Sequence, residues 1–503
     1  MRCAAVLVVV AALAAFASAA PLKMHVSGQR FADEDNRERF FHGMNVVNKV
    51  SALMLVLNVP YVPVIDHFDV NFSFSQEDVD VLTGFGLNVI RLSIMMDGAM
   101  PAQGAFNETY LSLMQTLIEI AASRDMYVMI ETHQDCFSAS LCGEGFPTWL
   151  AQIAVDPMTP ALPLPLAEPY AIDPVTHMPS AADCAKLDWS DYQFTAAQAD
   201  AYQKLYTVGT PANQGFSDHW RRIVQRFKNN TNVIGYELIN EPFAGNIYKN
   251  PELMIPSVAD RVNLQPFYDN LSNVIREQDP NAIIWFESVT WDDFVPMGFE
   301  HPPGGFQYSN QSVISLHYYF GPNVSPMNQF AARYSDAERY GTSLALTEFL
   351  IDPSDTPSAL EHMSKTMDAA DKYQMSWFGW DYKVFEDTTY GPSIWWPTNG
   401  TYNWPVVETV ARTYPQAVAG KTFHYSYDVA TRIFILEYYV NAACKLPTDI
   451  FLAEDVHYQN GYTVSVNPSN VVTQSSIKNH VYLTPTSSAS NGKFVTVVIG
   501  PTK

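Results

Sequence analysis

The residues best suited to chemistry are two glutamates that close apolar runs. In Tyr236-Glu237-Leu238-Ile239-Asn240-Glu241-Pro242 a strand-like run ends on Asn-Glu-Pro, and the proline stops strand pairing. In Leu344-Ala345-Leu346-Thr347-Glu348-Phe349 a second run of the same kind carries another carboxylate. Two carboxyls held about 5–5.5 Å apart can break a glycosidic bond with retention of configuration: one gives and then takes a proton, the other attacks the anomeric carbon. That division of labour asks Glu241 for a raised pKa and Glu348 for an ionised carboxylate, so their neighbours should treat them differently. Asn240 is then placed to hydrogen-bond the sugar's 2-hydroxyl. Glu131, Glu237 and Glu287 also lie on strand-like runs, and are read as inward polar residues that pair within the core or support the two principal carboxylates.

Residues so far apart in sequence meet only if a scaffold brings strand ends together. Eight runs rich in β-branched and aromatic residues recur: Arg39 to Asn45, Asn88 to Met95, Tyr127 to Thr132, Val233 to Ile239, Ile283 to Ser288, Ser312 to Tyr318, Ser343 to Glu348 and Met375 to Asp381. Helical patterns separate them. Asn107 caps a stretch with Leu111, Met114, Leu117, Ile118 and Ala121 on one face, and Ser75-Gln-Glu-Asp opens another. Strand alternating with helix, eight times, predicts an α/β fold, a (β/α)8 TIM barrel, with the two glutamates at the ends of strands four and seven. Pro157 through Pro179 reads as an inserted loop on the carboxyl-end face. After Tyr414-Pro415 the pattern becomes alternation without long helices, which predicts a small β-sandwich. The expected division is a leader over 1–20, a barrel over 21–414 and a sandwich over 415–503.

Charge and processing signals narrow the setting. With 52 acidic and 29 basic residues the net charge is -23, which repels nucleic acid. Arg2, an apolar run Ala4 to Phe16 and the small residues Ala17 to Ala20 have the layout of a secretory signal peptide. Secretion, to the outside or to a digestive or lysosome-like compartment, is therefore expected, as a monomer. Asn71, Asn107, Asn229, Asn270, Asn310, Asn323 and Asn399 each begin an N-glycosylation acceptor. Cys136, Cys142, Cys184 and Cys444 permit two disulfides in three connectivities. Cys142 with Cys184 is one expectation, and Cys136 with Cys142 is an alternative. No histidine stands at metal-ligand spacing such as H-E-x-x-H, so neither metal nor cofactor is expected.

With these residues in place, the sequence resembles glycoside hydrolase family 5, whose barrels carry an Asn-Glu acid/base after strand four and a Glu nucleophile after strand seven. The resemblance implies that Arg91, in Asn88-Val-Ile-Arg-Leu, orients the nucleophile and that His133 lines the sugar site. It matches His317 and Tyr319 to a His-x-Tyr pair after strand six. It gives the strand-eight tryptophan that floors the sugar site as Trp380, with Trp377 as competitor. Within the family the likeness is to the endoglycoceramidases, through Phe41-His-Gly-Met-Asn-Val-Val-Asn-Lys49, His133-Gln-Asp135, Cys142-Gly-Glu-Gly-Phe-Pro-Thr-Trp149 and Tyr414-Pro-Gln-Ala-Val-Ala-Gly420. It implies that Lys49 and Asp135 contact the sugar nearest ceramide, and that the substrate is a glycosphingolipid. Departures are Leu350, where many relatives have glycine, and the proline-rich insertion before Cys184.

Two apolar stretches lie in expected loops, Ser51 to Pro60 and Pro160 to Leu166. Exposed apolar loops mark binding surfaces, and here they are read as contacts to ceramide or to a membrane or micelle surface; packing beneath other loops is the plain alternative. Three other functions share the site residues or the scaffold: an endo-β-1,4-glucanase, a β-glucosylceramidase, and a silent barrel that binds glycan or lipid.

Overall fold

The computed structural model describes residues 21–49, 61–291, 294–321, 323–383, 394–395 and 400–502. The leader expected over residues 1–20 and the apolar run Ser51 to Pro60 lie outside them. Eight parallel strands close into a barrel: β1 (His42–Val46), β2 (Val89–Ser93), β3 (Tyr127–Glu131), β4 (Val233–Glu237), β5 (Ile284–Phe286), β6 (Ser312–Tyr318), β7 (Ser343–Phe349) and β8 (Ser376–Gly379). Helices cover their outer faces, so nearly every strand residue is buried on both sides, as the continuous apolar runs require. The register aligns Arg91 with Asn45 on one side and Met129 on the other, and Glu131 with Glu237, which stacks polar side chains in one layer at the carboxyl end.

Local signals set the helices. Asn107 caps the helix Glu108–Ala122 by accepting from the Tyr110 N–H, and the helix buries Leu111, Met114, Leu117, Ile118 and Ala121. Ser75 opens Gln76–Gly84 in a capping box with Asp78. Proline at the first helical position starts Pro211–Phe227, Pro326–Tyr340 and Pro357–Tyr373, each behind a Ser or Thr cap.

The amino end of the barrel is plugged. Strands Met24–Ser27 and Arg30–Asp33 form a hairpin whose Val26 and Phe31 pack against Phe41, Tyr127, Ile283, Trp285 and Phe378. The Phe31 and Trp285 rings stack at 5.4 Å. This hairpin also continues into the terminal sandwich. Through Glu38–Arg39 it pairs with Tyr414–Val418 in a seven-stranded antiparallel sheet, which faces a four-stranded sheet built from Gly420–Asp428, Ile433–Val440, Phe494–Pro501 and Tyr462–Asn467.

Cys142 and Cys184 form a disulfide, while Cys136 is buried and free and Cys444 is also free. The alternative Cys136–Cys142 pairing is thereby ruled out. The bond ties the loop after β3 to the start of the 181–206 helical region. The insertion keeps several apolar side chains in the open: Met158 is 89% and Val175 84% exposed, with Leu166 and Ile172 over 40%. Leu162 instead packs against Cys136 and Tyr192, so the run Pro160 to Leu166 is partly core and partly surface.

Candidate active site

At the carboxyl end of the barrel one cation organises the carboxylates. Arg91, fully buried on β2, donates from Nε to Glu237 Oε2 at 2.5 Å and from Nη1 to Glu348 Oε1 at 2.5 Å and Asn45 Oδ1 at 3.0 Å. Its Nη2 donates to Asn240 Oδ1 at 2.8 Å and lies 3.8 Å from Glu131 Oε2. A planar guanidinium with fixed donors is the side chain suited to join four separate strands' residues at once. Removing it would leave several buried carboxylates unpaired, so the cluster stands or falls with this residue.

Glu348, on β7, accepts a second hydrogen bond from the Tyr319 hydroxyl at 2.7 Å, with His317 Nδ1 at 3.5 Å. Glu241 follows β4 and faces it. One oxygen of each carboxyl, together with an imidazole nitrogen of His317, lies within 4.8 Å of the others. Among the described residues the Glu241 carboxyl is paired with His317 Nδ1, at 2.8 Å. The two environments differ, as the roles expected of the two carboxyls require. Burial, reinforced by the charge of Asp135, pushes Glu241 up to about 7, against the pull of His133, Arg91 and Lys49. Burial raises Glu348 as well, opposed by His317 and Arg91. Direct donation from Arg91 and Tyr319 makes Glu348 the carboxylate better equipped to hold charge. Burial lowers His317, opposed by the charge of Glu348.

A second cluster lies beside the first. Lys49 bridges Asp135 at 2.7 Å and Glu144 at 2.8 Å, and its ammonium sits 5.3 Å from the centre of the Trp380 ring. His133 stands between Glu131 (3.0 Å) and Asp135 (3.2 Å) and stacks on Trp380 at 5.4 Å. Burial alone would keep this imidazole neutral, but the two carboxylates overcome it and raise His133 to about 10. Asn240, its oxygen held by Arg91, turns its amide NH2 toward Gln134 O and Asp135. Ligand-type atoms also converge in His133, Asp135 and Glu144, where the Lys49 ammonium already serves as the cation for both carboxylates.

The ten residues singled out in the sequence therefore converge on one end of the barrel. Trp377 is excluded from the site: it is fully buried in the wall, stacked on His42 at 4.3 Å. Sequence reasoning missed Glu144 and Gln134. Glu144 reaches Lys49 because Asp135 and Glu144 pair as an antiparallel bridge. The turn needs glycine after Glu144, since Gly145 has φ +98° and a Cβ there would meet His133 O at 2.3 Å. Gly-Glu-Gly after Cys142 was the available signal.

Residues 65–386 match the family described as cellulase (glycosyl hydrolase family 5), and residues 412–499 match the glycoside hydrolase family 5 C-terminal domain. The endoglycoceramidase of Cyanea nozakii is 40% identical over 475 residues, 93% of this chain and 91% of the relative. That of Hydra vulgaris is 40% identical over 454 residues, 90% and 84% of the two chains. The fold is also that of endo-glycoceramidase II from Rhodococcus sp., solved in complex with ganglioside GM3, at a TM-score of 0.73 and 19% identity over 95% of this chain and all of that one. Barrel, terminal domain and near full-length likeness agree: the chain is a glycoside hydrolase and belongs to glycoside hydrolase family 5.

Proposed function

We propose that this protein is a retaining endo-β-glycosidase that hydrolyses the β-glucosyl–ceramide linkage of glycosphingolipids, releasing intact oligosaccharide and ceramide. The observation that carries the reading is the pair of carboxyls at the carboxyl ends of strands four and seven, with oxygens within 4.8 Å and unlike partners. Glu348 attacks the anomeric carbon of the glucose joined to ceramide while Glu241 gives its proton to the departing ceramide oxygen. Water, deprotonated by Glu241, then opens the glycosyl-enzyme and frees the glycan in the β configuration. Arg91 and Tyr319 hold Glu348, and Asn240, His133, Lys49, Asp135, His317 and Trp380 frame the sugar.

Two observations support a lipid aglycone. The relatives at 40% identity are named endoglycoceramidases. A cavity of about 460 Å³ is lined by Met158, Pro160, Leu164, Pro165 and Tyr248, with Asp156, Asn246 and Lys249 as polar members, and Met158 is an exposed apolar side chain of the insertion. Transient contact with a membrane or micelle surface through this insertion, action as a monomer, and secretion belong to the same proposal. The leader-like start, the Cys142–Cys184 disulfide and exposed sequon residues Asn71, Asn229, Asn310 and Asn323 support secretion.

The test is incubation with a purified ganglioside in mild detergent, with products read by chromatography and mass spectrometry. Intact oligosaccharide plus ceramide is expected. Stepwise release of monosaccharides would replace the endo reading by an exo-glycosidase. Cleavage of β-1,4-glucan alone would make the protein a glucanase, and no cleavage of either substrate would leave a binding protein.

A further inference from the structure

The backbone at Glu241 has φ +40°, a left-handed conformation that costs a non-glycine residue energy and that the following Pro242 restricts further. Such a conformation persists only where its surroundings over-determine it. On the carbonyl side they do so through Gln134. Its amide donates to Asn240 O at 2.7 Å and Glu241 O at 3.3 Å, and the Tyr202 hydroxyl fixes Gln134 in turn at 2.6 Å. On the amide side the partner is Glu287, which follows β5. Its Oε2 accepts the Glu241 N–H at 2.9 Å, and its Oε1 lies 3.7 Å from the same His317 Nδ1 that bonds the Glu241 carboxyl. Glu287 is only 4% exposed, and its own carbonyl accepts from the Tyr268 hydroxyl at 2.9 Å.

We infer that Glu287 is a positioning residue for the acid/base: by holding the Glu241 N–H it fixes the turn that aims the Glu241 carboxyl at the glycosidic oxygen. The inference rests on Glu241 being the acid/base. Glu287 touches the backbone of Glu241 and stands beside its imidazole partner, which makes it the group whose loss would free the turn and leave a buried N–H unpaired. Its carboxyl itself has no part in bond making or breaking.

A general acid matters most when the leaving group is a poor one. The test therefore compares kcat/KM on the natural glycolipid, whose alkoxide needs a proton, with kcat/KM on a glycosyl fluoride, whose leaving group does not. Glu241→Ala, Glu287→Ala and Glu287→Gln are measured side by side, with thermal unfolding to establish that each is folded. Glu287→Ala is expected to lower kcat/KM on the glycolipid by about 10²-fold, the lower end of what a positioned general acid supplies, with far less effect on the fluoride. Glu287→Gln keeps an oxygen to accept the Glu241 N–H and should restore most of the loss. Glu287→Asp, one methylene too short to reach the N–H, serves if the alanine variant does not fold and should behave as alanine does.

Equal losses on both substrates for Glu287→Ala, no loss on either, or a glutamine variant no better than alanine would overturn the positioning role while leaving the acid/base reading intact, provided Glu241→Ala still discriminates between leaving groups. If Glu241→Ala itself loses both substrates alike, the acid/base reading fails and the inference falls with it.

Discussion

The two ends of the barrel solve opposite problems with the same eight strands. At the amino end the interior is filled by Val26, Phe31, Phe41, Trp285 and Phe378, apolar side chains whose one polar group, the Trp285 indole N–H, donates to Ile234 O at 3.2 Å. At the carboxyl end Arg91, Glu131, Glu237 and Glu348 are all buried, charges that cost solvation and are repaid only in part by their mutual bonds. Nothing in folding requires the second arrangement. A strand layer that could have been aliphatic, and is ionic instead, marks where stability has been given up for chemistry, and the plug marks where it is recovered. The contrast predicts that changes at the carboxyl end will separate activity from stability, whereas changes at the amino end will not.

The largest separation is expected from Glu348→Gln. It should lower kcat/KM by about 10⁵-fold, the scale on which loss of a nucleophile acts. Because it relieves like-charge crowding with Glu241 and Glu287, the midpoint of thermal unfolding should stay at or above that of the wild type. A fall of several degrees would show that the carboxylate is structural. Arg91→Ala should destroy both properties, since it strands buried carboxylates; a loss of about 3–5 kcal/mol in denaturant unfolding is expected. At the other end Phe31→Ala empties a packed position 2% exposed and should cost about 3–5 kcal/mol. Its kcat/KM measured well below the new midpoint should match the wild type, and a matching loss of activity would erase the distinction between the ends.

The smallest effect concerns pH. In the proposed mechanism Glu241 works as an acid only while protonated, and burial with Asp135 holds it up to about 7, so kcat/KM on the glycolipid should fall as pH rises through about 7. On the acid side activity falls as Glu348 takes up its proton, above the ordinary carboxylate range because burial raises it. Asp135→Asn removes a negative charge that favours the protonated form of Glu241. The alkaline limb should therefore move to lower pH, whatever happens to the height of the profile. A limb that stays in place would mean that Asp135 does not act on Glu241.

Much of this was legible beforehand because it is local. All eight barrel strands stand where the β-branched and aromatic runs put them, and Asn107 and Ser75 open helices as their spacing implies. The differences fall at strand ends: the run Ile283 to Ser288 shortens to Ile284–Phe286, since pairing stops where the chain turns into the site. What sequence did not disclose depends on contacts between distant segments. Arg39 opens the run expected to be the first barrel strand, yet that strand begins at His42, and Arg39 with Glu38 instead joins the amino-terminal hairpin to Tyr414–Val418. The site residues were found partly by strand position, for Glu241 and Glu348, and partly by family likeness, for Lys49, Asp135 and Trp380. Glu144 and the bond from Glu241 to Glu287 escaped both routes, because one needs a loop folded back under a disulfide and the other an unusual backbone angle at a single residue.

The central claim is that Glu348 forms a covalent bond to the sugar. The direct measurement is to incubate the protein with a β-glucoside bearing fluorine at C2 and a good leaving group, which slows breakdown of the glycosyl-enzyme, and then to weigh the intact protein and map the labelled peptide. The account predicts one added sugar per chain, located on Glu348 within Leu344 to Phe349 and absent from Glu348→Gln. A label on another carboxylate, or full turnover with no label at all, would contradict it.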